Sequence, residues 1–75
     1  MSKAPEQKLL KEFGKRVAEV RKAKHMTQQE LSETVGMSVV TIAYIETGQR
    51  WVRLGTLHKL AKALHVDVAE LFKGL

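Results

Sequence analysis

Apolar residues keep a helical period along almost the whole chain. Leu10, Phe13, Val17 and Val20 recur three or four positions apart, with Lys, Glu and Arg between them. That spacing predicts a helix from about Glu6 to Lys24 with one apolar stripe. Gly14 inside it reads as a mild weak point. Residues 1–5 are expected to form a flexible arm, with Pro5 near the first helical turn, and residues 6–75 a single domain. Shorter apolar sets follow: Leu31 and Val35; Ile42 and Ile45; Leu57, Leu60, Ala61 and Leu64; Val68, Leu71 and Phe72. No strand alternation, repeat or low-complexity stretch interrupts them. The pattern predicts an all-α fold of five helices.

Residues between the apolar sets mark where helices start and stop. His25 and His65 each follow a periodic run, where a chain leaving a helix often needs φ > 0, and His tolerates that region better than most non-glycine residues. Thr27 followed by Glu30 is a capping box opening helix 2. Ser38 should cap helix 3 and Gly48 should end it in the left-handed conformation. Thr56 and Asp67 are expected to cap helices 4 and 5, and Met37 to be buried in the turn between helices 2 and 3. Helix 2, Thr27–Val35, is thus joined to helix 3, Ser38–Gly48, by a tight Gly36-Met37 link. Two short helices across a Gly-containing turn form a helix-turn-helix, which places its second helix in a DNA major groove.

Charge refines the picture. The chain has 75 residues, a formal net charge of +5, 13 Lys and Arg, and no Cys. A core of this size is marginal unless helices pack tightly or the chain dimerises. Disulfides and thiolate metal sites are excluded, in keeping with a reducing cytoplasm. No apolar run approaches the ~20 residues of a membrane span, and the first residues lack a signal-type apolar segment. The excess of positive charge suits a polyanionic partner. Yet from His25 through Gln49 there is no Lys or Arg, only Glu30, Glu33 and Glu46. Cations must therefore reach a polyanion from the flanks, although most on helix 1 are expected simply to solvate an exposed face.

With Ile42 and Ile45 inward, helix 3 turns Val39, Val40, Ala43 and Tyr44 outward, where exposed helices are ordinarily polar. Such a face fits thymine methyl groups, with Thr41 and the Tyr44 hydroxyl able to hydrogen-bond a base edge or a phosphate. A protein–protein patch is the competing reading. Gln28, in the first turn of helix 2, and Ser38, at the start of helix 3, are candidate phosphate contacts, because helix N-termini attract anions. Gln28 could instead serve as an extra cap or face solvent. Arg50 and Arg53 could reach the DNA backbone or remain solvated loop charges. Trp51 could cover the core edge, enter a dimer interface or lie on the DNA backbone.

Taken together, FGKRVAEVRKAKHMTQQELSETVGMS, TIAYIETG and LHKLAKALHVDVAELF resemble the XRE-type helix-turn-helix regulators, the family that includes the lambda-type phage repressors. The resemblance spans about residues 12–72 and implies a compact five-helix fold. It implies base contacts at Val39, Val40 and Tyr44, with Thr41 and Ala43 adjacent, and a phosphate contact at Gln28. It further implies an ion pair between Arg21 and Glu46, with Arg21 also touching a phosphate. Such a pair would neutralise Glu46 near DNA. Dimer contacts are implied near Trp51, Val52, Leu54 and His58. Ser32 replaces the usual Ala, His25 the usual Gly, Val52 the usual Pro, and Trp51 a small polar residue. The loop GQRWVRL resembles the small controller proteins of restriction–modification systems.

These features imply a cytoplasmic, homodimeric, sequence-specific transcriptional regulator that binds double-stranded DNA at a pseudo-palindromic operator. No cofactor, metal, small-molecule ligand or membrane partner is expected. An antitoxin or bridging interaction module is the alternative. An enzyme is disfavoured, since no nucleophile–base pair, metal-ligand cluster or phosphate-cradling glycine loop is present.

Overall fold

Four α-helices and a C-terminal 3₁₀ helix pack around one core in a computed structural model that describes the backbone of residues 4–75 and side chains from Glu6 onward. The helices are α1 (Ala4–Ala23), α2 (Gln28–Val35), α3 (Val39–Glu46) and α4 (Leu54–Ala63), and the 3₁₀ helix spans Val68–Phe72. No strand occurs among the described residues. The arm expected over residues 1–5 is partly corrected. Ala4 and Pro5 already belong to α1, because a proline in the first turn gives up an N–H that would have no helical partner. Residues 1–3 lie outside the described residues.

The core follows the predicted apolar sets. Phe13, Val17, Leu31, Ile42, Leu60, Leu64 and Leu71 are completely buried, with Val20, Val35, Ile45, Leu57 and Ala61 nearly so. Leu10, Met37, Val68 and Phe72 are half-buried around this centre. Phe13 is its hub, with ring centroids 5.3 Å from Trp51 and 5.2 Å from Phe72. Arg16 fastens the 3₁₀ helix to α1, donating from Nε to the Glu70 carbonyl (2.7 Å) and from Nη2 to Glu70 Oε1 (3.2 Å).

Gly14 is no weak point. A Cβ there would collide with the Ile45 carbonyl and come within 2.7 Å of the Glu46 carbonyl oxygen. Glycine is what lets α1 and the end of α3 touch backbone to backbone.

All four α-helices stop on a left-handed residue: His25 (φ 57°), Gly36 (φ 81°), Gly48 (φ 76°) and His65 (φ 58°). At each, the next N–H reaches back five residues: Met26 to Arg21, Met37 to Ser32, Gln49 to Tyr44, Val66 to Ala61. This is the long hydrogen bond of a Schellman stop. A left-handed histidine carries a steric cost of ~1–2 kcal/mol, partly offset on replacement by glycine's larger unfolded entropy. His25→Gly and His65→Gly should therefore each raise stability by about 0.5–1 kcal/mol, read as a higher urea midpoint at unchanged slope.

Two predicted caps are corrected. Helix α4 starts at Leu54, not after Thr56; Arg53 is the N-cap and makes no side-chain cap bond. Val52, buried in the core, draws the chain inward, and the Leu57 N–H closes the first turn on the Arg53 carbonyl. Asp67 precedes the last helix but does not cap it with its side chain. That segment is only five residues long, so it takes the tighter i→i+3 form, with the Glu70 N–H on the Asp67 carbonyl.

Candidate nucleic-acid interface

The turn between α2 and α3 is built from local hydrogen bonds. Thr27 Oγ1 accepts from the Glu30 N–H (3.0 Å) and the Thr27 N–H donates to Glu30 Oε1 (2.8 Å). Gly36, at φ 81°, stops α2. Ser38 Oγ accepts from the Thr41 N–H at 3.1 Å and bonds the Thr41 hydroxyl at 2.8 Å. This cap, two residues after Gly36, sets the start of α3 at Val39.

Helix α3 buries Ile42 and Ile45 and leaves an apolar outer face. Val40 is 55% exposed, Tyr44 44% and Val39 36%, with Ala43 and Thr41 half-buried beside them. No charged side chain stands on that face. Arg50 and Arg53 are exposed and border a hollow shared with Thr41 and Ile45, alongside the helix.

A buried polar network fixes the pose of α3. Arg21 donates from Nε to Glu46 Oε2 (2.7 Å), from Nη2 to Glu46 Oε1 (3.0 Å) and from Nη1 to the Met26 carbonyl (2.8 Å). Both partners are 8% exposed. The Glu46 hydrogen bond, reinforced by its charge, raises the Arg21 pKa against the opposing effect of burial. Gln28 joins the same carboxylate, its Nε2 donating to Glu46 Oε1 at 2.9 Å. One carboxylate thus ties α1, α2 and α3 together, and no buried side-chain polar atom among the described residues lacks a partner.

These positions revise several expectations. Arg21 is buried in the scaffold with each of its three nitrogens donating to a protein acceptor, and two of its five N–H groups remain for a further acceptor. Gln28 spends one amide N–H on Glu46 and keeps the other for a further acceptor. The Ser38 hydroxyl is committed to capping. Val52 faces the core of its own chain, an apolar anchor where the loop turns into α4. Trp51 covers the core edge through Phe13 while 52% exposed. Leu54, at 82% exposure, and His58 lie open on α4. The Gln28–Glu46 bond escaped sequence reasoning, since nothing local pairs residues 18 positions apart.

A capped two-helix turn, a rigidly held second helix and an uncharged outward face define an all-helical DNA-binding domain of the helix-turn-helix class. The Helix-turn-helix family model matches residues 17–71. The chain belongs to this family, in its XRE-type branch, and is a DNA-binding transcriptional regulator, not an enzyme.

Among solved structures, the chain is similar to the restriction–modification controller protein C.AhdI from Aeromonas hydrophila. The two share 40% identity over 84% of this chain and 96% of that one, with a TM-score of 0.82. The clp gene regulator ClgR from C. glutamicum is 27% identical over 84% of this chain and 82% of its own (TM-score 0.80). A point mutant of the restriction–modification controller protein C.Esp1396I is 26% identical over 87% and 82% (TM-score 0.79). Comparison with curated protein sequences returns no significant match. No helix among the described residues is long and apolar enough to cross a membrane.

Proposed function

We propose that the chain acts in the cytoplasm as a homodimer on a pseudo-palindromic operator, in the manner of a restriction–modification controller. The observation that carries this reading is the outward apolar face of α3, set beside the N-terminus of α2. Val39, Val40 and Tyr44 reach base edges, with Ala43 and Thr41 lining the contact. The second amide N–H of Gln28, the α3 N-terminus at Ser38, and Arg50 and Arg53 hold phosphates. Leu54 and His58 meet their counterparts across the two-fold axis, flanked by Trp51. The half-sites then lie about one DNA turn apart, ~10 bp centre to centre. The likeness to C.AhdI over nearly its whole length supports the controller role.

Selection of bound duplexes from random DNA would yield the operator. On that operator, Val39→Ala, Val40→Ala and Tyr44→Ala should each reduce the ratio of specific to non-specific affinity, by about 1–3 kcal/mol for the side chain that contributes most. Binding to unrelated duplex should stay near wild type. Three variants that discriminate sequences as the wild type does would overturn this assignment of reading residues.

A further inference from the structure

The end of α3 is covered by a part of α1 that precedes the family match. Helix α1 begins at Ala4, whereas the match starts at residue 17. Where α3 stops, Gly48 lies against Lys11. A Cβ on Gly48 would sit 2.7 Å from Lys11 Cα and 2.6 Å from Lys11 Cγ. The backbone and stem of Lys11 therefore run directly over the C-terminal end of the recognition helix. A second contact holds this stretch of α1 in place. Leu9 and Leu10 line an apolar groove with Trp51, and Trp51 packs on Phe13. The loop bearing Arg50 and Arg53 is thus tied to the same stretch of α1.

This placement matters for charge. The helix-turn-helix unit has no Lys or Arg between His25 and Gln49. The C-terminal end of α3 also presents the negative end of its helix dipole. A phosphate near that end is repelled unless a cation stands there. Lys11 is such a cation, exposed, and without a carboxylate within ion-pair distance among the described residues.

We infer that Lys11 is a DNA-backbone contact, supplied by α1 from outside the helix-turn-helix unit to the C-terminal end of the recognition helix. The inference rests on the DNA-binding reading above. Lys11, Arg50 and Gln28, which bonds Glu46, then stand at the C-terminal end of α3, with Arg53 along its side toward Thr41 and Ser38 at its N-terminus.

The test is titration of a mixed-sequence 30-bp duplex at salt concentrations from about 50 to 200 mM. Lys11→Gln keeps the stem that packs on Gly48 and removes the charge. Its plot of log affinity against log salt should be less steep than wild type by about 0.9 per protomer, with roughly eight-fold weaker binding per protomer (about sixty-fold for a bound dimer) at about 0.1 M salt on every sequence. Lys62→Gln, on α4, should keep the wild-type slope. A lysine that only offset the α3 dipole would lower the melting temperature of Lys11→Gln and leave its slope unchanged, and that result overturns the inference. If the wild type shows no salt-dependent duplex binding, the DNA-binding reading falls with it. If the wild type binds and Lys11→Gln matches its slope, only the role of Lys11 is lost.

Discussion

Glu46→Ala should destabilise the domain by about 3–5 kcal/mol, the usual cost of orphaning one member of a buried ion pair. The variant would leave the Arg21 guanidinium buried, with the Met26 carbonyl as its remaining acceptor, and would strip Gln28 of its partner. A domain of this length is stable by roughly 4–11 kcal/mol in all, so the loss removes about a quarter or more of the total. Urea denaturation followed by circular dichroism measures the loss.

The remedy is as informative as the damage. Replacing both partners, as in Arg21→Met with Glu46→Leu, removes the orphaned charge and should recover most of the lost stability. A loss below ~1 kcal/mol in Glu46→Ala would show that the pair behaves as a solvated surface contact. Alkali should not mimic the mutation. The pKa of Arg21 is raised, so the stability it contributes is complete below its already high ordinary value and disappears only as pH climbs beyond that.

Features legible in the sequence are those decided within one helical turn. The Thr27–Glu30 box, the Ser38 cap and the left-handed stops at His25, Gly48 and His65 depend on residues three to five apart, and each stands where local chemistry puts it. Apolar periodicity likewise assigns Phe13, Val17, Leu31, Ile42 and Leu60 to the core. Long-range contacts leave no such trace. Arg21 and Glu46 are 25 positions apart, and family resemblance supplied that pair where spacing could not. Gly14 looks like an ordinary helix-weakening glycine until the Ile45 and Glu46 carbonyls are seen against it. The early start of α4 at Leu54 follows from the burial of Val52, a tertiary effect that overrides the local signal of Thr56. On the candidate interface, the outward face of α3 was readable because Ile42 and Ile45 set its phase. The engagement of Gln28 by Glu46 was not, because it depends on how α2 and α3 cross.

Leu54→Lys should convert a dimer into a monomer. Leu54 opens α4 with 82% of its surface exposed, and His58, one turn on, shares its side of the helix. A leucine this open in one chain becomes useful when a second copy covers it, and burial of a leucine contributes about 1.5–3 kcal/mol. In a two-fold interface each change occurs twice. Lysine at this site therefore removes roughly 3–6 kcal/mol, at least a hundred-fold in the dimer dissociation constant, and adds repulsion between like charges across the axis. Sedimentation equilibrium separates the outcomes, because the chain has a mass of 8.5 kDa and a dimer twice that. The wild type should sediment as the dimer at micromolar concentration and Leu54→Lys as the single chain. On the full operator the variant should lose the joint occupancy of both half-sites while still binding an isolated half-site as the wild-type monomer does. A Leu54→Lys protein that dimerises as tightly as wild type would move the two-fold contact away from the start of α4.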